Sequence, residues 1–403
     1  MASSLLFNYK YLSREKLNGF EKYKYKSVDT SPLSNYVMHP FWDQLVKIFP
    51  MWVPANILTL CGWICSLSCF LLCSYFDVHF ISQKEVPRWV WLLSGILIFF
   101  AHQLDGCDGK QARRTNSSSP IGEMFDHGLD SSAVSLMCIS ILSLFGVSEH
   151  TGTHWEVTLI FMLVLFSFYI PHWEKYNTSV MFLPWAYDVS QILLVCSFIA
   201  SFFYGTEIWR VSYFNGALNL TFILKFIFYF LFVCLLFPVS IINQYQARKK
   251  TPKDCVPVIE GLYPLVAIII PTFLYLLFGY WSDSNIVITN LRLYIVGYGL
   301  LYSNITCRLI ISQMTSTKCD RFNILAWPLL PMLVAAYLKL INDKTMLIVY
   351  TIFLTLAHIH YGINVVHQLC MHLNVYCFRV NEKVRNELSK ELRKSHINGK
   401  EKR

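Results

Sequence analysis

DGCDGKQARRTNSSSPIGEMFDHGLD, Asp105 to Asp130, is a polar run set between two apolar windows, and it carries four aspartates in two close pairs. If the preceding window, Arg88 to Leu104, stays helical to its end, Asp105 and Asp108 share a helix face. Ser119 is placed to cap a new helix with Pro120 at its first position. Glu123, Asp126, His127 and Asp130 then recur at i, i+3, i+4 and i+7 on one stripe. The spacing therefore predicts two adjacent helix ends on which four carboxylates converge.

Carboxylates this close repel one another, so the pattern calls for protonation or for a divalent cation among them. Mg²⁺ or Mn²⁺ suits an all-oxygen donor set, because such ions are held by a few carboxylates while substrate phosphates complete the shell. Gly106 and Gly109 leave room for a bulky anion, and Lys110, Arg113 and Arg114 bring positive charge to the same turn. The bland reading is a solvated connecting loop. A single acidic pair would not displace it, but here Asp105, Asp108, Gly109, Ala112, Arg113, Gly122, Asp126 and Asp130 are specified together.

The wider composition fixes the setting. A chain of 403 residues that is 55% hydrophobic, 16% aromatic and only 15% charged is too apolar for a soluble protein of its size. About ten apolar windows recur, each long enough to cross a bilayer as a helix, which makes an all-α polytopic membrane protein the expected fold. Leu129 to Val147 is the third window and Phe322 to Ile341 the ninth. With ten spans, most of the 34 lysines and arginines fall on one side, so both termini and the aspartates should be cytosolic. The net charge of +9 lies in tails and juxtamembrane loops, where anionic lipid headgroups explain it better than nucleic acid does. The thirteen cysteines form no CxxC pair; the i+4 series Cys61, Cys65, Cys69 and Cys73 reads as packing, with a thiolate site as the alternative.

Along the chain, residues 1–52 form an arm in which Tyr36, Phe41, Trp42, Leu45, Val46 and Phe49 outline an amphipathic helix in the membrane interface. His172, Glu174 and Lys175, beside Trp173 and Tyr176, sit at a predicted membrane mouth, either as anchors or in contact with the headgroup or nucleotide. Arg308, His358 and His360 are intramembrane polar groups that must face protein or water. Of four glycosylation sequons, only Asn219 is expected on the lumenal side away from a span.

The defined positions D-x-x-D-G-x-x-A-R-x8-G-x3-D-x3-D resemble the signature of the CDP-alcohol phosphotransferase family, and every one is filled. KYKY at Lys22–Tyr25, VMHPFW at Val37–Trp42, HWEKYNT at His172–Thr178 and LAHIHYG at Leu356–Gly362 are similar to its eukaryotic ethanolaminephosphotransferase branch. The resemblance implies transfer of phosphoethanolamine from CDP-ethanolamine to the hydroxyl of diacylglycerol, with a choline or dual-specificity enzyme as the alternative within the family. A transporter or lipid-binding scaffold is the alternative outside it.

The resemblance also implies two divalent ions on Asp105, Asp108, Asp126 and Asp130, with the donor held by Arg113, Gly109 and Gly122 and its cytidine near Asn56. His127 is the candidate general base, steered by Glu123 one turn earlier, and Asp130 is its rival. The similarity further implies a catalytic unit at 53–242, a basic linker at 243–260, a four-helix extension at 261–369 bearing a homodimer interface, and a charged tail at 370–403. The membranes of the endoplasmic reticulum or Golgi are the expected location.

Overall fold

The computed structural model describes residues 9–81, 86–148, 151–183, 185–213 and 218–380. Nine helices among them are long and apolar enough to cross a membrane: α1 (Ala55–Phe76), α2 (Arg88–Arg114), α3 (Pro120–Phe145), α4 (His154–Thr178), α5 (Ala186–Tyr204), α6 (Leu220–Lys250), α7 (Val258–Trp281), α8 (Leu291–Thr315) and α9 (Asp343–Leu373). α1 packs against α2 and α3, and α2 against α5.

α8 is the most buried of the nine and touches α3, α4, α7 and α9. Small and hydroxylated side chains allow this close approach: Ser303 Oγ and Ser131 Oγ of α3 lie 2.6 Å apart, and Gly299 faces Ser135. Towards α7 the bond is reciprocal, Tyr275 donating to the Tyr294 carbonyl (2.8 Å) and Tyr294 to that of Tyr275 (2.7 Å). Cys69 and Cys73 are buried packing residues beside Trp91 and Phe198, while Cys61 is exposed, so the i+4 series is divided between the core and the surface.

The ninth window does not form a long helix. Residues 316–323 form no regular element, and a 3-10 turn and the helix Leu329–Tyr337 follow. The apolar helical stretch Ile324–Tyr337 rises roughly 21 Å at 1.5 Å per residue, short of a ~30 Å hydrocarbon core. The segment nevertheless crosses the bundle. Thr315, at the end of α8, lies against Gly19 of the arm at the aspartate end, whereas Asp343, at the start of α9, accepts from Ser282 Oγ (2.9 Å) just after α7 at the opposite end. Nine long helices and one broken crossing bring both ends of the described chain to the aspartate end.

The arm is built into the fold. Its helix Arg14–Lys22 packs on α8, the Tyr11 hydroxyl lies 2.8 Å from His360 Nδ1 of α9, and Ser27–Val28 pair in parallel with Met181–Phe182. His358 instead meets Ser303 and Asn304 of α8, so the two histidines serve different contacts. Arg308 donates to Asn304 Oδ1 (3.1 Å) and lies 4.9 Å above the Tyr361 ring.

Residues 34–48 form the helical segment expected at the membrane interface, with Tyr36, Phe41 and Ile48 exposed. Trp42 departs from that expectation: it is buried against Gly106, and its Nε1 donates to Gln103 Oε1 (2.8 Å). Gly106 is thus a seat for the indole rather than room for an anion. A methyl on Gly106 would fall inside the Trp42 ring system. Gly106→Ala is therefore expected to cost about 1–3 kcal/mol, as overpacking does. Thermal unfolding in detergent should show that cost largely relieved in the Gly106→Ala, Trp42→Leu pair; strict additivity would contradict the contact.

Candidate active site

α2 continues ten residues beyond its apolar window, to Arg114, where Gln111 and Arg114 tie the polar extension to the chain entering α1. Gln111 Nε2 donates to the Pro50 and Val53 carbonyls (3.0 Å each), and Arg114 Nη1 to those of Val46 and Phe49 (2.8 and 2.7 Å). The turn ends with Asn116 in the left-handed region (φ 51°). α3 then starts as the sequence predicts, with Ser119 accepting from the Gly122 amide (3.3 Å) and Pro120 in the first turn.

The two helix ends bring the four aspartates together. Asp105, Asp108 and Asp126 each offer a carboxylate oxygen within 4.8 Å of the others, and Asp126, His127 and Asp130 form a second such group. Asp126 belongs to both, and its Oδ1 is buried without a hydrogen-bond partner. Two neighbours orient the outer members: Thr59 Oγ1 of α1 donates to Asp108 Oδ2 (2.5 Å), and the Tyr187 hydroxyl of α5 to Asp105 Oδ2 (2.8 Å). Tyr187 carries no sequence signal of its own, since only the fold sets it beside Asp105. An orphaned buried carboxylate oxygen among hard donors is what a divalent cation would satisfy, so these residues fit Mg²⁺ or Mn²⁺.

Beside them opens a cleft of about 400 Å³, lined among others by Asn56, Thr59, Gly109, Arg113, Gly122 and His127. Gly109 is exposed, and a side chain there would meet only Arg113, so it does leave room for a ligand. Of the three basic residues in the turn, only Arg113 lines the cleft. Lys110 is paired with Asp43 (2.6 Å), and Arg114 is spent on backbone carbonyls. The Lys110 hydrogen bond holds the Asp43 carboxyl below its ordinary range. Asn56 Nδ2 donates to the Cys377 carbonyl (2.9 Å), a partner that sequence spacing alone does not indicate.

His127 lies beside the acidic cluster with its ring 5.2 Å from that of His172. Its Nε2 is 3.9 Å from Glu123 Oε1 and its Nδ1 4.0 Å from Asp130 Oδ2, both too long for hydrogen bonds. The expected grip of Glu123 on His127 is therefore absent. Glu123 Oε1 instead accepts from the Tyr23 hydroxyl and from Lys175 Nζ, both at 2.5 Å. Burial, with the Glu123 carboxylate beside it, pushes the Tyr23 phenol up, so Tyr23 stays a donor.

Lys175 lies over the Tyr23 and Tyr25 rings (5.4 and 4.8 Å). His172, Trp173, Glu174, Lys175 and Tyr176 are all buried. They are not interfacial anchors, because the arm, α6, α7 and α8 cover them: Trp173 Nε1 donates to the Gly261 carbonyl (2.6 Å), Asn243 Nδ2 to Glu174 Oε1 (2.9 Å), and Gln313 Nε2 lies 3.1 Å from His172 Nδ1.

Fold and site together define a polytopic membrane protein with an acidic cleft suited to divalent metal. The chain belongs to the CDP-alcohol phosphatidyltransferase family, whose profile matches residues 52–236, and is a transferase of that class. It is 40% identical over 392 residues to mouse Ethanolaminephosphotransferase 1, covering 93% of this chain and 96% of the relative. The human protein of the same name is also 40% identical over 391 residues, with the same coverage. Choline/ethanolaminephosphotransferase 1 of Arabidopsis thaliana is 29% identical over 397 residues, covering 93% of this chain and 99% of the relative.

Thr59→Val removes the hydroxyl that orients Asp108 and is expected to weaken Mn²⁺ binding about 10- to 100-fold, the usual effect of losing such a supporting hydrogen bond. Electron paramagnetic resonance of Mn²⁺ titrated into purified protein measures it; unchanged affinity would separate Asp108 from the metal.

Proposed function

We propose that this chain is an ethanolaminephosphotransferase, transferring phosphoethanolamine from CDP-ethanolamine to the hydroxyl of diacylglycerol or an alkyl-acylglycerol, with release of CMP. The carrying observation is His127 set beside shared Asp126 on the wall of a cleft that also holds Arg113. The near-full-length similarity to proteins named for ethanolamine supports the headgroup.

Bound Mg²⁺ or Mn²⁺ on Asp105, Asp108, Asp126 and Asp130 supplies neutralisation of the diphosphate oxygens. Arg113 steadies the donor phosphates, Gly109 and Gly122 leave space for them, and Asn56 Oδ1, which faces Gly122, meets the base. The acceptor oxygen attacks the β-phosphorus as the bond from that phosphorus to the bridging oxygen breaks, and the oxygen leaves with CMP. His127 takes the acceptor's proton. Glu123 is held by Tyr23 and Lys175 and does not compete for the ring nitrogens of His127.

Diacylglycerol reaches the site from the bilayer while the soluble donor arrives from the cytosol, which the excess of basic residues marks as the side of the aspartates. The endoplasmic reticulum and Golgi are the membranes that suit this chemistry.

The Arabidopsis relative is named for both headgroups, and dual specificity is the second reading. In vesicles containing diacylglycerol, CDP-ethanolamine is expected to be used at least tenfold more efficiently than CDP-choline; equal kcat/KM would establish the dual reading.

His127→Ala is expected to lower kcat about 10²- to 10⁴-fold, the span typical of general-base loss, with Mn²⁺ affinity retained. Parallel loss of Mn²⁺ binding would make His127 a ligand instead.

A further inference from the structure

α9 ends at Leu373, and Asn374 in the left-handed region (φ 53°) turns the chain back over the cleft. The following strap is fastened at two points. The Cys377 carbonyl and Sγ accept from Asn56 Nδ2 (2.9 and 3.4 Å), and the Phe378 ring meets Phe125 of α3 edge-on with centroids 5.5 Å apart. Tyr376, Cys377 and Arg379 thereby become part of the cleft wall.

The strap brings the cleft a second guanidinium in addition to Arg113. A CDP-alcohol carries two negative charges on its diphosphate. Two divalent cations would match the four aspartates, and the ammonium of the donor lies at its alcohol end, so cationic side chains are best placed where the diphosphate itself sits. Lys110 and Arg114 are spent elsewhere, and Lys175 is held by Glu123. Arg113 supplies one cation. Arg379 also lines the cleft and makes no ion pair among the described residues, its guanidinium lying 5.6 Å over the Tyr376 ring.

We propose that Arg379 is a donor-binding residue that meets the diphosphate of the CDP-alcohol from the strap side of the cleft, with Arg113 on the α2 side. The assignment rests on the proposed transfer reaction for the identity of the ligand. A guanidinium suits the task because its fork can engage two phosphate oxygens at once and it never loses its charge. The Cys377 carbonyl has a related part. By taking one Asn56 amide hydrogen it fixes the carboxamide with Oδ1 towards Gly122, so the same strap positions the base-recognising group.

The test compares binding of CDP-ethanolamine and of cytidine to purified full-length protein with Mg²⁺ present, by calorimetry, alongside steady-state kinetics. Arg379→Ala is expected to weaken CDP-ethanolamine about tenfold or more and to raise its KM similarly, with cytidine affinity within twofold of wild type. Arg379→Lys should recover part of the loss. Unchanged CDP-ethanolamine affinity in Arg379→Ala, or an equal loss for cytidine, would overturn the assignment. Wild-type protein that binds CDP-ethanolamine but releases no CMP in the presence of diacylglycerol would sink the enzymatic reading and leave Arg379 to be judged by binding alone.

Discussion

Mutual repulsion among Asp105, Asp108, Asp126 and Asp130 is the constraint that the rest of this structure answers. Left alone, α2 and α3 would splay at this end, since four carboxylates within a few ångströms favour separation. The surrounding elements prevent it. Thr59 and Tyr187 hold two of the carboxylates from α1 and α5, Gln111 and Arg114 tie the end of α2 to the entrance of α1, and Trp42 fills the notch at Gly106. Behind α3, α8 contributes small and hydroxylated residues that keep the helices close. Packing and hydrogen bonds thus maintain a concentration of acidic groups that a divalent cation would complete.

A second pattern concerns Glu123. A carboxylate shared by Tyr23 and Lys175 joins three distant parts of the chain: the arm, α3 and the end of α4. The aromatic rings of Tyr23 and Tyr25 cover the ammonium group, and burial makes this contact stronger than it would be in water. The arm is therefore a structural wall of the cleft, clamped at Tyr11 by α9 and at Ser27 by the loop after α4.

What the sequence disclosed follows from periodicity and local rules. The Ser119–Pro120 start and the stripe of Glu123, Asp126, His127 and Asp130 were legible because capping and the 3.6-residue repeat act within one helix. Burial of HWEKYNT was not, because the same composition suits a membrane interface, and only the overlying arm, α6, α7 and α8 decide the matter. The partners of Lys110, Arg114 and Glu123 were hidden for a related reason: they lie far away in sequence, and charge in a turn does not say which neighbour claims it. The broken ninth crossing had the right hydropathy, but Pro328 and Pro331 interrupt its regular helical bonding. Its apolar content predicted immersion in the membrane and could not predict helix length.

The return of the strap to Asn56 ties the finishing of the molecule to its biosynthesis. A ribosome releases the four acidic residues early, whereas Cys377 emerges after the last long helix. A nascent chain paused in the translocon thus has the acidic residues without the wall that the strap adds to their cleft. Docking of the strap against the first transmembrane helix is thus available only once the last long helix has been made.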